Sequence, residues 1–379
     1  MLHFPIYLDN NATTPVDPRV LENMIPFFTK YFGNAASHSH SFGWEAEEAV
    51  EIAREQLAHL INAEPNEIIF TSGATESDNL ALKGVFEMYS TKGNHIITAK
   101  TEHKAVLDSC KHLEKFGAEA TYLNVDAEGL IDINELKNSI KPATILICIM
   151  YANNEIGVIQ PIKEISEIAK EKGIPFFSDA TQAVGKVPVD VIKDGIDLMA
   201  FSAHKIYGPK GVGALYVRRK NPRVKISAQM DGGGHEKGMR SGTLNVPSIV
   251  GFGKACELCE KEMYKDAETT ERLRNKLESG LLNIKGTQIN GSRTKRLPNT
   301  TNISFKDFDS TDIMMKLSKN IALSSGSACT SATQSPSFVL KALGLSDKMA
   351  LASLRFGLGR FTTEEEIDYT ILQLANLKM

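Results

Sequence analysis

Between about Glu67 and Val217, short apolar runs alternate with helical patterns, and this alternation limits the possible folds more than any other feature. The strand-like runs are Glu67–Thr71, His95–Ala99, Glu119–Asn124, Thr144–Met150, Pro175–Ser178, Asp197–Phe201 and Gly213–Val217. Helical periodicity fills several intervals, as in Thr75–Tyr89 and Ile162–Lys172. Such a pattern predicts an α/β fold, a mainly parallel sheet covered by helices, with ligands at the carboxyl ends of the strands. Trp44, Val50, Ala53, Leu57 and Ile61 recur at helical spacing and predict an amphipathic helix ahead of the sheet. After Gly251 the texture changes to a charged helical stretch from Cys256 to about Leu282, short strands near Thr301–Phe305 and Ile321–Leu323, and a closing helical pattern from Glu364. A chain of 379 residues exceeds what one core usually organises, so this second region is expected to form a smaller α+β domain, joined by the extreme amino terminus.

The residues at the strand ends carry the chemistry. Asp197–Phe201 runs into Ser202-Ala203-His204-Lys205, and Pro175–Ser178 delivers Asp179. An amine and a carboxylate at two such edges are what pyridoxal phosphate requires: the amine forms a Schiff base with the aldehyde, and the acid keeps the ring nitrogen protonated. Taken singly, Asp179 is equally compatible with capping a helix, and Lys205 with a solvated surface position. The strand ending at Phe70 leads into Thr71-Ser72-Gly73-Ala74-Thr75-Glu76 and a helix, and free N–H groups at a helix start favour an anion. The same residues also make an ordinary cap. Ser202, His204 and the turn Arg240-Ser241-Gly242-Thr243 are further candidate phosphate donors. His103 could relay protons over a ring or simply open a helix. Asn154 and Gln182 both follow strand ends. Arg355 offers a planar fork suited to a carboxylate, or a surface salt bridge.

Cys329 sits in Ser324-Ser325-Gly326-Ser327-Ala328-Cys329-Thr330, among small polar residues that cannot build a core and suit an exposed loop with an accessible thiol. Cys256 and Cys259 are expected on a half-buried helical face rather than in a metal site. Five cysteines in all do not resemble a disulfide framework, which fits a reducing, cytoplasmic setting. A formal charge of −3 gives no reason to expect nucleic acid or an anionic membrane as partner. The longest apolar stretch, Ala143 to Ala152, is about half of the roughly 20 residues that span a bilayer, and the start of the chain does not read as a signal peptide.

Read together, the motifs resemble the cysteine desulfurases of the NifS/IscS type, in the class V aminotransferase branch of the fold-type I pyridoxal phosphate enzymes. The resemblance runs through Leu8-Asp9-Asn10-Asn11-Ala12-Thr13-Thr14-Pro15, Thr71-Ser72-Gly73-Ala74-Thr75-Glu76-Ser77, Thr101-Glu102-His103, Asn153-Asn154-Glu155-Ile156-Gly157, Asp179-Ala180-Thr181-Gln182, His204-Lys205-Ile206-Tyr207-Gly208-Pro209-Lys210-Gly211, Arg240-Ser241-Gly242-Thr243 and the Cys329 segment. It implies a large cofactor-binding domain over residues 15–261 with a seven-stranded sheet, and a small domain from residues 1–14 and 262–379 carrying a cysteine loop at about 324–337. It further implies Lys205 as the Schiff-base lysine, Asp179 as partner of the ring nitrogen, His103 stacked on the ring and Gln182 at the phenolic oxygen. Ala74, Thr75, Ser202 and His204 match phosphate-site positions, and Thr243 one that reaches the phosphate across a homodimer interface. Asn154, also placed at the cofactor, and Arg355 match positions that hold the substrate carboxylate. Cys329 matches the catalytic cysteine that takes sulfur from L-cysteine, leaving L-alanine, and passes it to an iron–sulfur scaffold protein or another acceptor, such as one for tRNA or cofactor thiolation. No resident metal is implied, although Cys329 could transiently ligate a cluster on a scaffold. Ala203 departs from a position that is often Gly in these enzymes.

Overall fold

The structure, a computed structural model, describes residues 2–306, 308–325 and 335–377. A short first strand, β1 (Ile6–Tyr7), precedes seven strands that form one sheet. These are β2 (Ile68–Thr71), β3 (His95–Ala99), β4 (Glu119–Leu123), β5 (Thr144–Cys148), β6 (Phe176–Asp179), β7 (Leu198–Ser202) and β8 (Gly213–Val217). Their spatial order is β2-β8-β7-β6-β5-β3-β4. β8 runs antiparallel to both neighbours, and the pairs from β7 through β4 are parallel. The expected mainly parallel α/β sheet is therefore present, with strand ends within about two residues of those read from the sequence. Every residue of β2, β3, β5, β6, β7 and β8 is buried, as expected of strands covered on both faces, whereas β4 at the edge is largely half-exposed.

One apolar cluster lies on each face of this sheet. The larger joins Val50, Ala53, Leu57, Phe176 and Phe201 to Phe252; the other joins Leu80, Val85, Val106 and Phe177. The helix Ser41–Leu60 supplies Val50, Ala53 and Leu57 as the sequence predicts, but not Trp44. Trp44 is 55% exposed, its indole N–H donating to the His38 carbonyl at 2.8 Å, so it stands outside the buried stripe.

A separate cluster gathers Ile6, Leu8, Leu273, Leu277, Ile303, Leu354 and Ile367. Its strands are β9 (Thr287–Ile289), β10 (Thr300–Phe305), β11 (Ile321–Ala322) and β12 (Ser353–Gly357); β12-β10-β9 form an antiparallel sheet and β1 pairs in parallel with β11. One 36-residue helix, Val246–Leu281, spans both regions without a break. Its first half buries Ile249, Phe252, Cys256 and Cys259 against the large sheet, and its second half buries Leu273, Leu277 and Leu281 in the separate cluster. Cys256 and Cys259 are fully buried, not half-buried as the sequence suggested. Burial pushes the Cys259 thiol up to about 12 and raises Cys256 too, so neither is a ready metal ligand or redox thiol.

Candidate active site

The carboxyl ends of β2, β6 and β7 open onto a cavity of about 500 Å³, lined among others by Ala74, Thr75, His103, Asn154, Asp179, Gln182, Ser202, His204, Lys205 and Arg355. Residues from Asn11 to Arg355 thus meet where an open α/β sheet gathers its ligands. Thr243 is exposed and does not line this cavity. Cys329 lies outside the described residues.

β7 ends at Ser202 and the chain turns through Ala203–Lys205, which brings Lys205 Nζ to 2.6 Å from the Asn11 carbonyl and 2.7 Å from that of Ala12. Two carbonyls accepting from one amine fix where the nitrogen sits. On β6, Asp179 is buried and its Oδ1 accepts from the Thr181 N–H at 2.9 Å. The contact opens a turn rather than capping a helix, since residues 181–186 form turns and no helix lies between β6 and β7, and the carboxylate lines the cavity.

His103 opens a helix, as one of its two sequence readings has it. It caps the helix Lys104–Glu114, its Nδ1 accepting from the Ala105 N–H at 3.2 Å, and it lines the cavity. Burial pulls its imidazole below the usual range; the Asp179 charge opposes this and Lys205 adds to it, so the ring is neutral at pH 7. His204 is held down to about 4 by burial first, then by Lys205, Lys210 and Lys186.

Below Asp179 lies an acidic group that the sequence did not suggest. Atoms of Asp78, His103 and Asp179 lie within 4.8 Å of one another. Asp78 is fully buried, and neither of its oxygens has a hydrogen-bond partner among the described residues. Burial, then Asp179, then Glu102 raise its carboxyl well above the usual range. Glu102, also fully buried, is raised by burial and by Asp179 although it accepts from the Met150 N–H at 2.8 Å. Asp78 sits four residues beyond Ala74 on the same helix. An acid on the buried face of an amphipathic helix was the available signal.

The opposite wall is cationic and polar. Arg355, on β12, is buried with one nitrogen 2.7 Å from Asp9 Oδ1 and another 3.1 Å from the Asn154 carbonyl. It pairs with Asp9, but as a buried residue rather than in the surface salt bridge the sequence allowed, and the side chain faces the cavity. Gln182 donates from Nε2 to the Asn11 carbonyl at 2.9 Å and accepts at Oε1 from Lys186 Nζ at 2.6 Å. The described flanks of the Cys329 segment are held next to this wall: the Arg355 N–H donates to the Ser324 carbonyl at 2.7 Å, and the Ser337 hydroxyl donates at 2.5 Å to Glu155, the residue after Asn154.

The residues present fit pyridoxal phosphate by the chemistry of their donors. A fixed primary amine, a buried carboxylate and a neutral imidazole face one cavity. At its rim the helix Ala74–Tyr89 begins without a side-chain cap at Gly73, leaving N–H groups for an anion.

Known proteins agree with this chemistry. Residues 6–370 match the family described as aminotransferase class-V. The chain is 58% identical to a cysteine desulfurase IscS of Escherichia coli over 98% of its own length and 92% of that protein. It superposes on a solved NifS-like protein with a TM-score of 0.92 at 40% identity, covering 99% of each chain. A second solved structure, SspA in complex with cysteine, has a TM-score of 0.84 at 38% identity over 94% of this chain and all of that one. A match along nearly its whole length shows that the chain belongs to the aminotransferase class-V family, among its pyridoxal-phosphate-dependent cysteine desulfurases.

Proposed function

We propose that this enzyme converts L-cysteine to L-alanine, collects the sulfur as a persulfide on Cys329 and delivers it for iron–sulfur cluster assembly, with tRNA or cofactor thiolation as further destinations. The observation that carries the reading is the convergence of Lys205, Asp179 and His103 on one cavity whose opposite wall is Arg355. When bound, pyridoxal phosphate supplies an aldehyde that takes up the amino group of the substrate and a ring that stores an electron pair. Lys205 would hold the aldehyde, Asp179 the ring nitrogen, His103 a ring face and Gln182 the phenolic oxygen. The phosphate falls to Ala74, Thr75, Ser202 and His204, with Thr243 of a second copy. Arg355 and Asn154 hold the substrate carboxylate. Lys205 Nζ takes the proton from the substrate α-carbon. The Cys329 thiolate attacks the substrate sulfur: the S–S bond forms, the C–S bond breaks with its electron pair left on the β-carbon, and L-alanine is complete once the β-carbon takes a proton and Lys205 returns one to the α-carbon.

The chain is read as a large unit over residues 15–261 and a small one from 1–14 and 262–379, in line with their separate apolar clusters. A homodimer fits the large apolar side chains exposed between Leu21 and Trp44, among which Phe32 and Phe42 pack 5.2 Å apart while both remain exposed. Among the described residues no helix is long and apolar enough to cross a membrane, and a cytoplasmic site of action is part of the proposal.

The test uses the cofactor-loaded protein and L-cysteine. Cys329→Ala should bind substrate, seen as a change in the visible spectrum, yet form no persulfide and no more than traces of alanine. Undiminished sulfur transfer in that variant refutes the role given to Cys329.

A further inference from the structure

We infer that Lys186, which no motif marks as functional, is a positioning residue that sets the orientation of the Gln182 amide and thereby aims a hydrogen-bond donor into the cofactor cavity. The inference rests on the cofactor reading above and deepens it.

The geometry is a short relay. Lys186 Nζ stands 2.6 Å from Gln182 Oε1, and Gln182 Nε2 stands 2.9 Å from the Asn11 carbonyl, which also accepts from Lys205 Nζ at 2.6 Å. A carboxamide has an oxygen end that accepts and a nitrogen end that donates, and the two ends have nearly the same shape. Nothing in the shape of the Gln182 site selects one orientation, so the partners must. An ammonium only donates, so Lys186 requires the oxygen end; the flipped amide would set N–H groups against N–H groups. The donor end is thereby committed to the side shared by Asn11 and Lys205. Were Lys186 an apolar residue, the Asn11 carbonyl alone would oppose the flipped amide, and an acceptor in the cavity would meet a donor less consistently.

The surroundings explain why a lysine is tolerated here. Burial pulls the Lys186 ammonium down to about 7, and Lys205 and Arg355 push the same way, with Cys259 opposing. His204 also feels its charge. Across a small cavity of about 20 Å³, Asp266 faces it from the long helix, Tyr207 from the chain just after the Lys205 turn, and Arg360 from the stretch after β12. Lys186 has N–H groups to donate whether charged or neutral, and in its charged form, which has no lone pair, it can only donate.

The experiment is a pH titration of the visible absorbance of the cofactor-loaded protein, which reports protonation at the cofactor independently of turnover. Lys186→Met is compared with Lys186→Arg, each in the native and in the Gln182→Ala background. Lys186→Met should raise the midpoint by about one pH unit, the shift that follows from losing one hydrogen bond to a charged oxygen. Lys186→Arg, which can only donate, should restore the native midpoint. In the Gln182→Ala background the effect of Lys186→Met should fall to less than half. An unshifted midpoint in Lys186→Met, an equal shift with and without Gln182, or a Lys186→Arg protein that titrates like the methionine variant would each overturn the inference. Should Lys186→Met fail to load cofactor, the arginine arm still decides: a midpoint displaced by a unit or more contradicts the orienting role. If the native protein shows no cofactor band, it is the cofactor reading that fails instead.

Discussion

The pair Arg54 and Glu236 locks the segment around residue 236 to the start of β2, the strand that feeds the Ser72–Thr75 turn. Arg54 is 4% exposed and Glu236 7% exposed. Two guanidinium nitrogens reach the two Glu236 oxygens at 2.8 and 2.9 Å, and Arg54 also donates to the Ile68 carbonyl at 2.8 Å. Glu236 in turn accepts from the Phe70 N–H at 2.8 Å. Replacing Arg54 by Met leaves a buried carboxylate with the Phe70 amide as its remaining partner among these contacts. Stranding a buried charge costs about 3–5 kcal/mol. Adding Glu236→Gln removes the charge and keeps an acceptor for Phe70, so the double variant should cost only about 1–2 kcal/mol for the lost hydrogen bonds. Urea unfolding of the four proteins gives the coupling energy. The double variant must be more stable than Arg54→Met alone. Strictly additive losses, or an Arg54→Met protein within about 1 kcal/mol of the native one, would refute the reasoning.

The acidic group below the cofactor cavity gives a pH prediction. Unfolded, Asp78 ionises near pH 4, whereas folded it keeps its proton to higher pH because of burial, Asp179 and Glu102. Above that pH the folded state binds the extra proton, so stability falls as pH rises, by about 1.4 kcal/mol per unit until the folded group ionises. Asp78→Asn should remove this slope, gaining stability over the native protein at pH 7 but not at pH 3.5; parallel stability curves for the two proteins would contradict the assignment. For Arg355→Lys, which keeps the charge and loses the planar fork, we expect KM for L-cysteine to rise at least tenfold while the cofactor spectrum stays native. An unchanged KM would place the substrate carboxylate elsewhere.

Strand identity was legible because covered strands read as unbroken apolar runs, and Lys205 and Asp179 stood out because each interrupts such a run at its carboxyl end. Continuity of the helix Val246–Leu281 was less visible, since its apolar stripe passes from one cluster to another. Trp44 misled because helical spacing alone does not distinguish the buried face from its margin. Asp78 was missed because it acquires its role from Asp179 and Glu102, both distant in sequence, and Lys186 because its role comes only through the Gln182 amide. Asn11 belongs with them, because its backbone carbonyl, not its side chain, receives Lys205 and Gln182.

The central claim is that one particular amine holds the cofactor. Borohydride reduction of the loaded protein, followed by proteolysis and mass spectrometry, tests it directly. The reduced pyridoxyl group should appear on the peptide containing Lys205 and be lost in Lys205→Ala. Label on Lys186 or any other lysine of the native protein, or none at all, would contradict it.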